Sequence, residues 1–371
     1  MKTSLHLIRQ HILDMPAYEP ILPFDVLSEE LRMPIDQLIK LDANENPYGP
    51  LAEVKDALAS IDTLHIYPDP ETRRIRNILA KHHQISENSI VIGAGADELI
   101  DLIVRIVIEP GEVMINCPPT FGMYAFDGTL NRAKLISVPR YSDFSLNLSG
   151  IKEAVAVHQP KILFLANPNN PDGSVISEEI FSGLMSLPLL LVMDEAYIQF
   201  SDLGSSVLDR VASYDNLVVL RTFSKWAGLA GLRIGYGVFP EALVPMLMKA
   251  KQPYNVSVAA ERAAVVTMQH LPKSQARISQ MIDLRQELFH ALTQIPWLKP
   301  YPSQANFVLC KVIGFSAKEV SQRLRTKGIL IRYFDKPGLD DHIRISVGTR
   351  EQMDVLIKEL KGILTDENGK N

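Results

Sequence analysis

The stretch R-T-F-S-K-W-A-G-L-A-G-L-R-I-G-Y-G, Arg221–Gly237, sets a lysine among hydroxyl and cationic side chains. Lys225 follows an apolar run that is typical of a buried strand, and small residues nearby let the backbone come close to a bound group. Thr222, Ser224 and Arg233 add hydroxyl donors and a fixed cation, which suit an anion such as phosphate. The stretch therefore predicts an amine in a crevice beside an anion site, although a solvated surface lysine is the commoner use of this residue.

Two other apolar runs end in polar side chains that could hold the same ligand. The run L-L-L-V-M is followed by D-E-A-Y, which puts Asp194 at the end of a buried strand, shortly before Tyr197. Burying a carboxylate is costly unless a cation pairs with it, and an ionised pyridinium would be such a partner. In A-N-P-N-N-P-D-G, Ala166–Gly173, two Asn-Pro steps predict a rigid loop that presents the amides of Asn167 and Asn170.

The segment G-A-G-A-D-E, Gly93–Glu98, lies between an apolar run and the predicted helix Asp97–Ile108. Glycines there expose backbone N–H groups and the positive helix end to an anion. A dinucleotide fingerprint needs a third glycine where Glu98 stands, so the loop favours a single phosphate. Phe121 and Tyr124 follow the next apolar run, and one of them could stack on a planar ligand, the alternative being a place in the core.

These candidate residues all follow short apolar runs that alternate with helical stretches. Such alternation predicts an α/β fold with a large, mostly parallel sheet covered by helices, and ligands bind such sheets at the carboxyl ends of the strands. The predicted strands are Ile90–Ile92, Val113–Asn116, Lys134–Val138, Ile162–Leu165, Leu189–Met193, Leu217–Leu220 and Tyr236–Phe239. The candidates are therefore expected to meet at one edge of the sheet.

Beyond Lys251 the α/β rhythm breaks, and a smaller α/β domain is predicted. We expect an irregular, proline-punctuated N-terminal arm over residues 1–40 that packs with this small domain, a large ligand-binding domain over 41–255 and the small domain over 256–371. The elements predicted after residue 251 are a helix from about Ser274 to Ile295, helices Ala317–Lys327 and Glu351–Leu364, and strands Phe307–Cys310, Ile329–Ile331 and Ile343–Val347.

The composition argues against several classes of function. A formal net charge of −5 provides no basic field for nucleic acid or an anionic membrane, so a DNA-binding regulator built on this fold is disfavoured. No apolar run reaches the ~20 residues of a spanning helix, and the N-terminus lacks the apolar core of a signal peptide. Cys117 and Cys310 are too few for a disulfide framework or a zinc site, and the histidines lack ligand spacing. We therefore expect a cytoplasmic protein without a metal, with both cysteines in the core.

The order N-P-N-N-P-D-G, D-E-A-Y and S-K-x-x-G-L-A-G-L-R on successive predicted strands resembles the fold type I aminotransferases, which use pyridoxal 5'-phosphate. By that resemblance Lys225 forms a Schiff base with the cofactor and Asp194 pairs with its pyridine nitrogen. Asn170 and Tyr197 hydrogen-bond its 3-oxygen, and Phe121, where relatives often carry tyrosine, stacks on its ring. The predicted cofactor phosphate site comprises the backbone amides of Ala96 and Asp97 and the side chains of Thr222, Ser224 and Arg233.

A closer resemblance covers nearly the whole chain. The segments A-Y-E-P-I-L-P-F, L-D-A-N-E-N-P-Y-G-P, Y-P-D-P, G-A-D-E and I-R-I-S-V-G-T look like those of the histidinol-phosphate aminotransferase family of histidine biosynthesis. In that family the tyrosine of Y-P-D-P, here Tyr67, reaches the cofactor phosphate of the neighbouring subunit, so the resemblance implies a homodimer with shared sites. It also implies that an amino group passes from histidinol phosphate to 2-oxoglutarate by a ping-pong mechanism. Aromatic aminotransferases and threonine-phosphate decarboxylases share most of these motifs and stay open as alternatives.

The substrate prediction rests on side chains that can bind anions. Arg344 and Arg332 lie on or beside predicted strands, where an unpaired guanidinium is costly, so each is predicted to bind an anion or to form a structural ion pair. Arg344 can grip a carboxylate or a phosphate through its fork. The more charged phosphate needs further donors, and Tyr18 from the arm is predicted to act there with Arg332. Asn170 completes the predicted substrate contacts.

Overall fold

The structure is a computed structural model that describes residues 4–17 and 21–368, with side chains up to Ile363. Its α-helices are α1 Gln10–Asp14, α2 Phe24–Leu31, α3 Ala52–Ala59, α4 Arg73–His83, α5 Ala96–Val107, α6 Met123–Leu130, α7 Leu148–His158, α8 Glu178–Met185, α9 Val244–Ala250, α10 Val258–Gln269, α11 Leu271–Thr293, α12 Ala317–Thr326 and α13 Arg350–Asn368. Its strands are β1 Ile39–Leu41, β2 Ile90–Gly93, β3 Val113–Asn116, β4 Lys134–Ser137, β5 Ile162–Ala166, β6 Leu190–Asp194, β7 Leu217–Thr222, β8 Gly235–Val238, β9 Leu298–Pro300, β10 Phe307–Val312, β11 Ile329–Tyr333 and β12 His342–Ser346.

The large sheet has the strand order β2-β8-β7-β6-β5-β3-β4. Strand β8 runs antiparallel to both of its neighbours, whereas the pairs from β7 to β4 are parallel. Strands β5, β6 and β7 are buried almost throughout, as unbroken apolar strands covered by helices on both faces must be. The predicted α/β class and the mostly parallel sheet are therefore confirmed, and each predicted strand of this sheet is present within one or two residues.

Side chains of the central strands alternate between two apolar cores. On β6, Leu191 and Met193 join the core beneath α3, α4 and α10, whereas Val192 joins the core beneath α5, α6 and α9. This follows from the two-residue period of a strand. Helix α10 was not predicted from the sequence; it packs on α3 and buries Ala260 and Ala263. The core that contains Leu191 and Met193 therefore continues past residue 255, the predicted end of the large domain.

The small sheet has the order β1-β11-β12-β10-β9, with β1 parallel to β11 and the other pairs antiparallel. The helices and strands predicted after Ala317 are all present. The arm differs from the irregular segment that was expected, because α2 begins after Pro23 and packs Leu27 against Leu38 and Leu330 of β11. Proline before a helix is compatible with its first turn, where N–H groups lack intrahelical partners.

Some features that bear on function are visible in the described residues. Cys117 and Cys310 are fully buried free thiols, which confirms their prediction as core residues. Among residues 4–17 and 21–368, no helix is both long and apolar enough to cross a membrane. The histidine, cysteine and acidic side chains of the same residues form no group of three or more that could hold a metal ion.

Candidate active site

The parallel strands deliver the predicted site residues to one edge of the large sheet. Ala166, the last residue of β5, pairs with Asp194 of β6, which in turn pairs with Leu220 of β7. The polar loops that follow these strands therefore start side by side. Lys225 lies three residues beyond the end of β7, and Asn170 four residues beyond the end of β5.

Asp194 and Glu195 are adjacent buried carboxylates with different partners. Glu195 Oε2 accepts hydrogen bonds from Nε of Arg221 at 2.9 Å and from its Nη2 at 2.8 Å. Asp194 has neutral donors within the described chain, the hydroxyl of Tyr124 at 2.7 Å and the backbone N–H of Ala196 at 3.1 Å. Burial raises the pKa of Asp194 to about 6. Because no protein cation neutralises it in the described residues, this carboxylate suits a ligand that brings a cationic nitrogen.

Asp194→Asn is expected to change how the stability of the ligand-free protein depends on pH. The folded pKa of about 6 exceeds the usual 3.8, so the stabilisation from protonated Asp194 is complete below pH 3.8 and is lost as pH rises through 6. A shift of this size is worth on the order of 3 kcal/mol. The substituted side chain in Asp194→Asn does not titrate in this range. The free energy of unfolding of Asp194→Asn minus that of wild type should therefore rise by about that amount between pH 4 and pH 7.

Denaturant unfolding at the two pH values measures this difference. Asp209→Asn, at an exposed carboxylate, is the matched control and should show the pH dependence of the wild type. A free-energy difference between Asp194→Asn and wild type that is the same at pH 4 and pH 7 would contradict the assignment of a raised pKa to Asp194.

Lys225 is half-buried, and its amine makes one hydrogen bond within the described residues. Its Nζ donates to the backbone carbonyl of Ala43 at 3.2 Å and lies 5.9 Å from the centre of the Tyr197 ring. The Tyr197 hydroxyl accepts a hydrogen bond from Nδ2 of Asn44 at 3.1 Å, and its ring meets Phe307 edge to face. Since no acidic side chain of the described residues pairs with Lys225, its amine is available to a ligand.

An anion cradle forms where the β2–α5 loop approaches Arg233. A Cβ on Gly95, whose φ is +85°, would lie 2.5 Å from Nη2 of Arg233, so the backbone and the guanidinium are in close contact. Helix α5 begins at Ala96 without a side-chain cap, which leaves N–H groups of its first turn for a ligand. Nη2 of Arg233 also donates to Oδ2 of Asp97 at 2.7 Å. The helix end and the arginine together can bind an anion.

Two hydroxyl groups border this cradle. Thr222 Oγ1 donates to Ser224 Oγ at 2.8 Å and accepts from the Ser224 backbone N–H at 3.0 Å. Because the Ser224 hydroxyl accepts that bond, it keeps its own proton to donate. A Cβ on Gly235 would lie 2.7 Å from the backbone nitrogen of Ala96, so β8 holds the start of α5 close to this turn. The structure thus brings the predicted phosphate residues to one place.

Arg344 and Arg332 lie opposite each other on β12 and β11. Arg344 is 5% exposed, and burial lowers its pKa to about 10. Its Nη1 donates to Oδ1 of Asn170 at 2.5 Å and its Nη2 to the carbonyl of Asp42 at 2.8 Å, while its Nε has no partner among the described residues. Neither arginine forms a salt bridge within the described chain. Of the two predicted roles, this favours binding of an anionic ligand over a structural ion pair.

Two predicted site residues take no part in these polar contacts. Phe121 is half-buried and meets the ring of Tyr124 edge to face at 5.6 Å. Tyr67 is 79% exposed and stacks on Tyr254 at 4.6 Å, without a described contact to the other predicted residues. Tyr18 lies outside the described residues.

Two polar contacts of the site were not anticipated from the sequence. The sequence predicts Tyr124 to stack on a ligand or to lie in the core; it lies in the core, and its hydroxyl also donates to Asp194. Asn44 belongs to the L-D-A-N-E-N segment, which was predicted as a loop without assigned contacts, and it donates to Tyr197. Their polar side chains, which follow a strand in each case, were the available signal, but spacing along the chain cannot identify their partners.

Comparisons with known proteins agree on one family. Residues 36–360 match the family model described as aminotransferase class I and II. Histidinol-phosphate aminotransferase 1, chloroplastic, of Arabidopsis thaliana is 48% identical over 355 residues, which is 95% of this chain and 85% of that protein. Histidinol-phosphate aminotransferase of Roseiflexus castenholzii is 47% identical over 365 residues, 96% of this chain and 98% of that protein.

A solved structure similar to this chain comes from the same family. The crystal structure of histidinol-phosphate aminotransferase from Sinorhizobium meliloti in complex with pyridoxal-5'-phosphate has a TM-score of 0.87 to this chain at 27% sequence identity. The match covers 94% of this chain and 96% of that one. The two chains therefore share the same overall fold.

Proposed function

The chain belongs to the class I and II aminotransferase family, and we propose that histidinol phosphate and glutamate are its two amine substrates. It is a transaminase of fold type I that uses pyridoxal phosphate. The proposed reaction exchanges histidinol phosphate and 2-oxoglutarate for imidazole acetol phosphate and glutamate, a step of histidine biosynthesis. One observation carries the substrate proposal: Arg332 and Arg344 lie side by side, and neither forms a salt bridge within the described residues, so the two guanidinium groups can receive either anion.

The residues at the sheet edge fit pyridoxal phosphate. Asp194 supplies the anion that a protonated ring nitrogen needs, and Lys225 supplies the amine for covalent attachment to the aldehyde carbon. We propose Asn170 and Tyr197 as donors to the 3-oxygen and Phe121 as the stacking ring. The proposed phosphate contacts are the backbone N–H groups of Ala96 and Asp97, the side chains of Thr222 and Ser224, and the guanidinium of Arg233.

The bound cofactor supplies an electron sink for the charge that develops on the substrate carbon. In the proposed mechanism Lys225 would hold the cofactor covalently, and its free amine would then act as the general base that takes the proton from the substrate Cα and as the general acid that returns it. Asp194 would keep the ring nitrogen protonated. Arg344 fixes the anionic end of the substrate, so glutamate and histidinol phosphate use one site in turn and the kinetics are ping-pong.

A single-turnover screen tests the substrate proposal. The cofactor-loaded protein is mixed separately with histidinol phosphate, glutamate, phenylalanine and threonine phosphate, and the released product and the cofactor absorbance are followed. We expect one equivalent of keto product per site from the first two and much slower release from phenylalanine. Turnover of phenylalanine without histidinol phosphate would identify an aromatic aminotransferase, and carbon dioxide from threonine phosphate would identify a decarboxylase.

We propose that the protein is a homodimer in which Tyr67 contacts the cofactor phosphate of the neighbouring subunit. The support is an exposed apolar patch around Tyr67 that includes Leu64, Ile66 and Tyr254. Apolar surface of this kind often marks an interface. We further propose the cytoplasm as the compartment, supported by the free thiols of Cys117 and Cys310, although plant relatives are chloroplastic.

Subunit exchange is expected to show that Tyr67 acts in trans. Mixing Lys225→Ala with Tyr67→Phe should give heterodimers with one site free of both lesions, and random exchange should restore about a quarter of the wild-type activity. Lys225→Ala mixed with Asp194→Asn is the matched control, because both residues act within their own subunit and no intact site can form. If exchange is demonstrated and the first mixture is no more active than its better parent, Tyr67 does not act across the interface.

A further inference from the structure

Tyr124 is a fully buried tyrosine directly behind the Asp194 carboxylate. It is 1% exposed, its ring stacks on Phe164 at 5.1 Å, and its edge faces Phe121. The hydroxyl donates to Asp194 Oδ2 at 2.7 Å. Because the stacking fixes the ring, the direction of this hydrogen bond is fixed as well.

Within the described chain, Tyr124 is the one side chain that donates a hydrogen bond to Asp194. The other oxygen, Oδ1, accepts the backbone N–H of Ala196 at 3.1 Å. The charged neighbours, Asp97 and Glu195, carry the same sign and raise its pKa further. The Tyr124 hydrogen bond opposes them, because a donor favours the ionised form of a carboxylate.

Each oxygen of the carboxylate thus has one protein donor. A carboxylate oxygen has two lone pairs, so each keeps one for a further donor. With Tyr124 and Ala196 holding its plane, Asp194 presents the remaining lone pairs in one orientation. Without the hydroxyl, the carboxylate could rotate, and its ionised form would lose a donor in a buried site.

We propose that Tyr124 is a positioning residue that fixes the Asp194 carboxylate, as an anion, for pairing with the protonated ring nitrogen of pyridoxal phosphate. The proposal rests on the cofactor site proposed above. In this role Tyr124 strengthens the binding of ligands that carry the ring nitrogen. A tyrosine that only packs would contribute equally to the affinity for any flat ligand.

The test compares two ligands that differ in that nitrogen. Full-length apoprotein is titrated with pyridoxal phosphate and with its 1-deaza analogue, in which carbon replaces the ring nitrogen, and the affinities are read from tryptophan fluorescence. Tyr124→Phe keeps the ring stack and removes the hydroxyl. It should weaken pyridoxal phosphate binding about 10-fold, as expected for a hydrogen bond to a charged group, and change analogue binding less than about 2-fold.

Tyr236→Phe is the matched control, because Tyr236 is equally buried and its hydroxyl bonds His83 at 2.8 Å instead of Asp194. It should leave both affinities unchanged. In an Asp194→Asn background, Tyr124→Phe should no longer alter the affinity for pyridoxal phosphate. Equal losses for the two ligands, or no loss for either, would overturn the role of Tyr124. A wild-type protein that fails to bind pyridoxal phosphate would instead overturn the cofactor site together with this inference.

Discussion

Lys225→Ala is expected to lower the rates of both half-reactions by at least about 10⁴-fold, because the variant loses the covalent attachment group and the proton carrier together. The cradle around Arg233 and the Asp194 carboxylate do not depend on this side chain, so the variant should still bind pyridoxal phosphate noncovalently. Borohydride reduction followed by peptide mass analysis measures the attachment, and single-turnover release of 2-oxoglutarate from glutamate measures the rate.

Lys249→Ala is the control for this substitution. Lys249 is a lysine of α9 whose Nζ contacts only a methionine sulfur in the described structure, so its loss should leave attachment and rate at the wild-type level. Undiminished borohydride fixation of the cofactor in Lys225→Ala would place the reactive amine elsewhere and remove Lys225 from the mechanism.

Arg344→Ala is expected to slow both half-reactions by about 10²- to 10⁴-fold. Its fork can make two charge-assisted hydrogen bonds to an anion, and each such bond is worth about 1.5 to 3 kcal/mol, or roughly 10- to 150-fold. Arg332→Ala should behave differently, because the substrate phosphate carries about −1.5 to −2 charges and a glutamate carboxylate only one. We expect the histidinol phosphate half-reaction to fall about 10- to 150-fold in Arg332→Ala, and the glutamate half-reaction much less.

Half-reaction rates at limiting concentrations of each amine distinguish these two arginines. Arg350→Ala is the control, since Arg350 is an exposed arginine paired with Glu287 and its loss should change neither rate. Equal losses for both substrates in Arg332→Ala would exclude Arg332 from phosphate recognition. A loss confined to one substrate in Arg344→Ala would exclude a shared anion site.

The tertiary contacts also show where prediction from spacing was incomplete. Helix α10 follows a segment that interrupts the α/β rhythm, and its small buried residues, such as Ala260 and Ala263, give a weak helical pattern. Its place in the core is set by its packing on α3, which local spacing does not contain. The buried pair of Glu195 with Arg221 was likewise not predicted, because the two residues lie 26 positions apart.

The sequence alone determined the fold class and the edge at which the chemistry is expected. Apolar runs alternating with helices specify a parallel sheet, and loops after such strands share one edge, so Lys225 and Asp194 could be placed together from local pattern and motif order. The tertiary structure decided which side chains touch. The bonds of Tyr124 to Asp194 and of Arg344 to Asn170 join residues 70 and 174 positions apart. A hydrogen bond depends on distance and direction in space, which a one-dimensional spacing does not contain.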